Sequence, residues 1–160
     1  MNEHDLSNRY TRQKDIVPAD RLADLTVVTV IGVGAIGRQV TLQLAAIGVP
    51  RLQLVDFDRV EVENLAPQGF LESDMEQLKV QATANLARQI NHDLDIREVL
   101  ERFRRSMDVG DAIFNCVDSI ETRRHIWQAV RDRVRFYVDC RMSAEVARIL
   151  VAADAASREH

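Results

Sequence analysis

The sequence predicts an α/β domain with a mainly parallel, doubly wound sheet and helices on both faces. Three observations predict it. A β-branched run, Val27-Val28-Thr29-Val30-Ile31, enters the turn Gly32-Val33-Gly34-Ala35-Ile36-Gly37. An amphipathic stretch then leads into a second apolar run, Leu52-Gln53-Leu54-Val55, that ends on Asp56-Phe57-Asp58. Further downstream, short apolar runs keep alternating with helix-period segments, the pattern of right-handed βαβ crossovers.

The elements follow in order. Residues 1–15 are polar and charged and read as an arm, and Pro18-Ala19-Asp20-Arg21-Leu22 as a short helical lead-in starting near Pro18 or Asp20. Arm and lead-in take residues 1–25, and one domain takes 26–160. The first strand is expected over Thr26–Ile31 and the first long helix over Ala35–Ile47, stopped by Gly48-Val49-Pro50. A second strand spans Arg51–Asp56. Residues 57–73 hold few periodic apolar positions, with Pro67 and Gly69 among them, and read as a functional loop. Ser73 or Asp74 caps a helix to about Asn91, with Met75, Leu78, Ala82, Leu86 and Ile90 on one face. Strands over Asp95–Leu100 and Ala112–Cys116 precede a helix that Ser119 caps and that runs through Arg131. Two strands, Arg135–Cys140 and Val146–Ala152, complete the pattern.

The bulk properties narrow the function. A chain of 160 residues, 46% hydrophobic and 29% charged, can bury one real core. A net charge of −4 argues against a dedicated nucleic-acid binder, so the arginine groups at 102–105 and 131–135 read as solvated faces. No run reaches membrane-spanning length. The first residues hold no apolar signal core. The two cysteines, Cys116 and Cys140, lie far apart in sequence and form no metal-spaced pair. A cytoplasmic protein with core thiols is the expectation.

The turn carries the chemistry. Gly32 allows a sharp reversal at the strand end, Gly34 leaves room for phosphate against the backbone, and Gly37 lets helix and sheet approach. The helix N-terminus adds unpaired N–H groups and partial positive charge. Asp56, at the end of the second strand, is placed to accept ribose hydroxyls, a role that suits NAD and ATP equally. The expected fold is therefore Rossmann-like, with a bound nucleotide.

The residues after Asp56 separate the candidates. Asp56-Phe57-Asp58-Arg59-Val60-Glu61-Val62-Glu63-Asn64-Leu65 is followed by Gln68, Lys79 and Cys116-Val117-Asp118-Ser119, and the arm holds Arg9-Tyr10-Thr11-Arg12-Gln13. Together, over roughly residues 9–140, these resemble the ThiF/MoeB/HesA adenylyltransferases, relatives of the ubiquitin-activating enzymes. Their usual order is R-Y-x-R-Q, G-x-G-x-x-G, D-x-D-x-V-x-x-x-N-L-x-R-Q, a helix lysine, then C-x-D. The resemblance implies ATP and Mg²⁺ as cofactors. It implies activation of the C-terminal carboxylate of a ubiquitin-like or sulfur-carrier protein as an acyl-adenylate. It places Gly32, Gly34, Gly37, Asp56, Asp58, Asn64, Gln68 and Lys79 around the nucleotide, with Asp56 at the ribose and Asn64 and Lys79 at the phosphates. It assigns Asp118 to the metal, and Arg12, Lys79 and Asp118 to catalysis. Arg12, with Arg9 assisting, would reach the phosphate site of a neighbouring subunit, implying a homodimer.

Each residue also has a plain structural role open to it. Lys79 can be an exposed helix lysine, Asp118-Ser119 a helix cap, Asn64 a turn residue, and Arg9 and Arg12 solvated charges. The sequence departs from the family pattern at Pro67, which stands where an arginine contacts the triphosphate and brings neither charge nor N–H. Arg59, Arg9 and Arg12 are candidate substitutes. The segment before Lys79 is about one residue short and lacks the usual Gly-Pro pair. The usual C-terminal half, with its cysteine and zinc sites, is missing from these 160 residues, which are expected to supply the nucleotide half. Two rival readings follow: a non-catalytic family member serving as dimer partner or scaffold, and, less favoured, an NAD-dependent oxidoreductase.

Overall fold

The computed structural model describes residues 9–158. In chain order the elements are α1 (Ala19–Ala23), β1 (Val28–Ile31), α2 (Ala35–Ile47), β2 (Arg51–Val55), α3 (Val62–Gln68), a 3-10 turn (Glu72–Asp74), α4 (Lys79–Ile90), β3 (Asp95–Val99), β4 (Ala112–Asn115), α5 (Ile120–Val130), β5 (Phe136–Ser143), β6 (Val146–Ala152) and α6 (Ala155–Arg158). The β-branched run of β1 is buried at every position, as a strand covered on both faces requires.

The six strands lie in the order β3-β2-β1-β4-β5-β6. All neighbours are parallel except β5 and β6, which form an antiparallel hairpin with Asp139 opposite Leu150. Strand alternation divides the core. Val28, Val30, Leu52 and Leu54 meet Leu44, Ala45, Val80, Ala84 and Ala87 of α2 and α4 on one face. Ile31, Val55, Ile113 and Tyr137 meet Ile126, Ala129 and Val130 of α5 on the other. The chain leaves β1 toward β2 on one side and reaches β4 on the other. The topological switch point therefore opens at the carboxyl ends of β1 and β4, where ligands of such sheets bind.

Several boundaries differ from expectation. The segment 57–73 is not a loop throughout: Val62–Gln68 is helical, with Pro67 in its last turn, and Glu72–Asp74 forms a 3-10 turn. Short apolar spacing hid this helix, none of whose residues is buried. The long helix begins at Lys79, four or five residues later than its caps suggested. Asp74 spends its carboxylate on the Leu71 N–H (2.9 Å), and residues 76–79 are drawn away from helix by pairing with 58–60. Val60 N–H donates to the Gln77 carbonyl (2.8 Å), Glu76 N–H to the Val60 carbonyl (3.0 Å) and Lys79 N–H to the Asp58 carbonyl (3.0 Å). β1 starts two residues late, and β5 runs three residues beyond Cys140 because β6 pairs with it as far as Ser143. The β3–β4 connection carries no helix. Two buried strand polar groups hold it instead: Gln53 Nε2 donates to the Asp108 carbonyl (3.0 Å), and Thr29 Oγ1 accepts from Gly110 N–H (3.0 Å). Among the described residues no helix is long and apolar enough to cross a membrane.

Candidate functional site

Gly32 is the pivot of the turn. Its φ is +84°, and a Cβ there would lie 2.9 Å from the Val117 nitrogen, so both conformation and space demand glycine. Gly37 is closer still: a Cβ would sit 1.8 Å from the Gly32 carbonyl oxygen. Gly34, the residue preceding α2, is open, with only the Gln68 side chain within 4 Å of such an atom. The backbone therefore presents α2's first N–H groups to open space, the arrangement that binds phosphate.

That space is a cleft of about 1180 Å³ along the strand ends, lined among others by Gly32, Gly34, Asp56, Asp58, Gln68, Lys79 and Asp118. It exceeds the ~300–1,000 Å³ of ordinary small-ligand pockets, leaving room beside a nucleotide. The Asp56 carboxylate is oriented by two backbone donors, Val33 N–H to Oδ2 (2.6 Å) and Asp58 N–H to Oδ1 (2.9 Å). Each oxygen keeps a lone pair for a further donor. Lys79, the first residue of α4, is buried, and its Nζ reaches Asp58 Oδ2 at 3.5 Å. A buried ammonium beside a half-exposed carboxylate is held in place for an anion. Gln68 Oε1 is buried without a hydrogen-bond partner beside the glycine turn. Rotating that amide presents two N–H donors there instead. Asp118 is exposed just before the helix that Ser119 caps, Ser119 Oγ accepting from Thr122 N–H at 3.2 Å. The cap thus falls to Ser119 and not to Asp118.

Three expected residues stand outside this lining. Gly37 is spent on packing. Asn64 Oδ1 accepts from Glu61 N–H (3.2 Å) at the start of α3. Arg12 lies in the arm, which docks at the opposite end of the helices. The Tyr10 ring covers Gly48 at the C-terminus of α2, Gln13 Nε2 donates to the Ile47 carbonyl (2.7 Å), and Arg9 donates to the Ile90 carbonyl at the end of α4. The 13 residues of α2 separate Arg12 from the turn by roughly 20 Å. Arg9 therefore caps a helix, and exposed Arg12 sits in the arm, outside the cleft lining. Arg59 donates to the Glu76 carbonyl (2.7 Å) and pins the turn that delivers Lys79.

Sequence reasoning missed several groups. Arg38 is buried, with its guanidinium 4.8 Å from the Phe70 ring centre, tying segment 68–74 to α2. Burial holds its pKa below the ordinary arginine range, against the opposing pull of Asp74. Arg102 stacks on Phe57 at 3.8 Å along the cleft rim. Asp139 accepts from both Arg123 and Arg141, and Arg123 is buried. His125 packs edge-on against Phe103 and also lines the cleft. Cys116 and Cys140 are sequence-distant but follow the paired Asn115 and Asp139 on adjacent strands. The Cys116 thiol is hydrogen-bonded to Cys140, and that bond and burial push its pKa well above the ordinary thiol range. It stays protonated, which suits a core thiol and not a nucleophile.

The fold and the glycine turn define a Rossmann-like α/β domain with its cleft at the switch point. The ThiF family matches residues 10–141, and the chain belongs to that family. The sulfur carrier protein ThiS adenylyltransferase of Escherichia coli (strain K12) is 31% identical over 137 residues, covering 79% of this chain and 54% of that protein. Ubiquitin-like modifier-activating enzyme 5 of Branchiostoma floridae is 27% identical over 141 residues, covering 78% and 35% respectively. The chain thus spans about half or less of these relatives' length. Its fold matches the crystal structure of E. coli MccB with ATP at a TM-score of 0.73, with 20% identity, over 85% of this chain and 42% of that one.

Proposed function

We propose that this chain binds Mg·ATP in the cleft and activates the C-terminal carboxylate of a ubiquitin-like or sulfur-carrier protein as an acyl-adenylate. The observation that carries the reading is the meeting of the glycine turn, Asp56, Lys79 and Asp118 on one cleft. Relatives whose names describe adenylyltransfer to ThiS and activation of ubiquitin-like modifiers support it. Asp56 takes the ribose hydroxyls, and the turn and the first N–H groups of α2 face the α-phosphate. Lys79, steadied by Asp58, meets the remaining phosphate charge, and Gln68 adds amide donors.

The donor set also fits magnesium. Among the described residues no cluster of three or more His, Cys, Asp or Glu could hold a metal alone. A magnesium ion shared with phosphates needs only one or two carboxylates plus water, and Asp118 would supply a carboxylate. When bound there it neutralises phosphate charge. The carboxylate oxygen of the carrier attacks the α-phosphorus. The new P–O bond forms as the bond to the α,β-bridging oxygen breaks, and pyrophosphate leaves without any proton transfer. The chain's contribution is alignment and charge stabilisation. Arg12, too far from its own cleft, would serve a second copy, making the unit a homodimer.

Pro67 in the last turn of α3 favours a second reading, a non-catalytic dimer partner. ATP–pyrophosphate exchange with candidate carrier proteins, run beside equilibrium ATP binding, separates the two. Exchange that Asp118→Ala abolishes is expected. Absence of ATP binding would leave the scaffold reading, and stronger stabilisation by NAD than by ATP would sink the adenylylation reading.

A further inference from the structure

The far wall of the cleft carries charge that nucleotide binding does not use. Arg123 and Arg141 both bond Asp139, Arg141 through Nε (2.8 Å) and Nη2 (2.5 Å). Arg141 stands directly opposite Arg148 across the β5–β6 pair, and both line the cleft. Like charges at opposed positions of an antiparallel pair repel. Among the described residues, no carboxylate lies within ion-pair distance of Arg148. Two guanidiniums thus share one carboxylate and a third has none, so these four side chains leave net positive charge on the wall. An anion seated between Arg141 and Arg148 would relieve that repulsion.

Its distance from the turn says which anion. Neighbouring strands lie about 4.8 Å apart, so β5 and β6 sit roughly 10 and 14 Å from β1, whose turn receives the phosphates. A carboxylate attacking the α-phosphorus cannot be there at the same time. An extended peptide advances about 3.3 Å per residue, so that gap corresponds to about three or four residues of a tail lying across the strand ends.

Resting on the adenylylation reading above, we propose that Arg141 and Arg148 form a subsite for an acidic side chain, Asp or Glu, about three to four residues before the reacting C-terminus of the partner protein. The subsite selects among tails: an acidic residue is held, and a basic one is repelled.

The test uses the full chain and two seven-residue peptides with free C-terminal carboxylates, one with Glu and one with Lys at the fourth position from the end. Binding is followed by NMR titration, with and without Mg·ATP, and ATP affinity is measured in parallel. Arg148 is exposed and outside the nucleotide contacts, so its variants keep the fold. The Glu peptide should bind wild type about tenfold or more tightly than the Lys peptide, Arg148→Gln should erase most of that preference, and Arg148→Glu should reverse it. ATP affinity should stay within about twofold, because no phosphate contact is assigned to this residue. Equal peptide affinities in wild type, no detectable Glu-peptide binding, or an unchanged preference in Arg148→Glu overturns the proposal. So does a large loss of ATP affinity in Arg148→Glu without a change in peptide preference, which would give the arginines to the nucleotide. Peptide selectivity in a protein that fails to bind ATP would support the subsite and sink the adenylylation reading.

Discussion

Gly34 and Gly37 lie three residues apart in one turn, and the structure gives them opposite sensitivities. In Gly37→Ala the new methyl starts 1.8 Å from the Gly32 carbonyl oxygen, and real Cβ contacts essentially never fall under 3.0 Å. Helix and turn must separate by about 1.2 Å, and the Cys116 side chain at 3.2 Å limits sideways escape. Overpacking of this kind costs about 1–3 kcal/mol, against which alanine's helix propensity returns up to about 1 kcal/mol. Taking the middle of the resulting range, a net loss of about 1–2 kcal/mol, and about 2–4 °C per kcal/mol for a chain of this size, Tm should fall by about 2–8 °C. Gly34→Ala meets nothing nearer than 3.6 Å, and its φ of −84° is open to any residue. Its stability should be unchanged or slightly raised, since alanine restricts the unfolded chain. The methyl does fill the space where phosphate approaches the backbone. Losing one charge-assisted contact, about 1.5–3 kcal/mol, weakens ATP binding about 10- to 100-fold. Thermal unfolding and calorimetric titration of ATP read both effects. A Gly37→Ala protein as stable as wild type, or a Gly34→Ala protein that binds ATP undiminished, would refute the packing and cradle roles assigned here.

Three further predictions concern the scaffold. Asn115 Nδ2 donates to the Tyr137 hydroxyl at 2.7 Å, both side chains are buried, and Asn115 Oδ1 has no partner. Tyr137→Phe leaves that amide wholly unpaired and should cost about 1–3 kcal/mol in urea denaturation. The same burial pushes the Tyr137 pKa up to about 12, so alkaline difference spectra should show one tyrosine ionising late, and a normal titration of both tyrosines would contradict the arrangement. At the entrance to β1, Thr26 N–H donates to Asp111 Oδ2 (2.9 Å) and holds the Asp111 pKa below the usual carboxylate range. A depressed folded-state pKa gives stability that is fully present above the unfolded value and lost as pH falls through the folded one. The stability gap between wild type and Asp111→Asn should therefore be constant near neutrality and close at acid pH. A gap that widens on acidification would reverse the assigned sign.

What the sequence alone determined was local. The β-branched run, the glycine turn, the span of α2 and the Ser119 cap depend on contacts within a few residues, so they are legible one segment at a time. Asp56 is legible for the same reason, because it ends a strand whose direction the turn sets. The tertiary structure decided which distant groups meet. Lys79 looked like a surface lysine, yet backbone pairing of 76–79 with 58–60 buries it beside Asp58. Taken alone, the arm's arginines read as solvated charges, yet Tyr10, Gln13 and Arg9 close the far ends of α2 and α4, which sets the arm at the end of the helices away from the turn. Arg141 and Arg148 carried no sequence signal, because their opposition follows from the β5–β6 register. Periodicity fixes the face a residue occupies, but strand order and register set the distance between faces, and charge and ligand geometry depend on that distance.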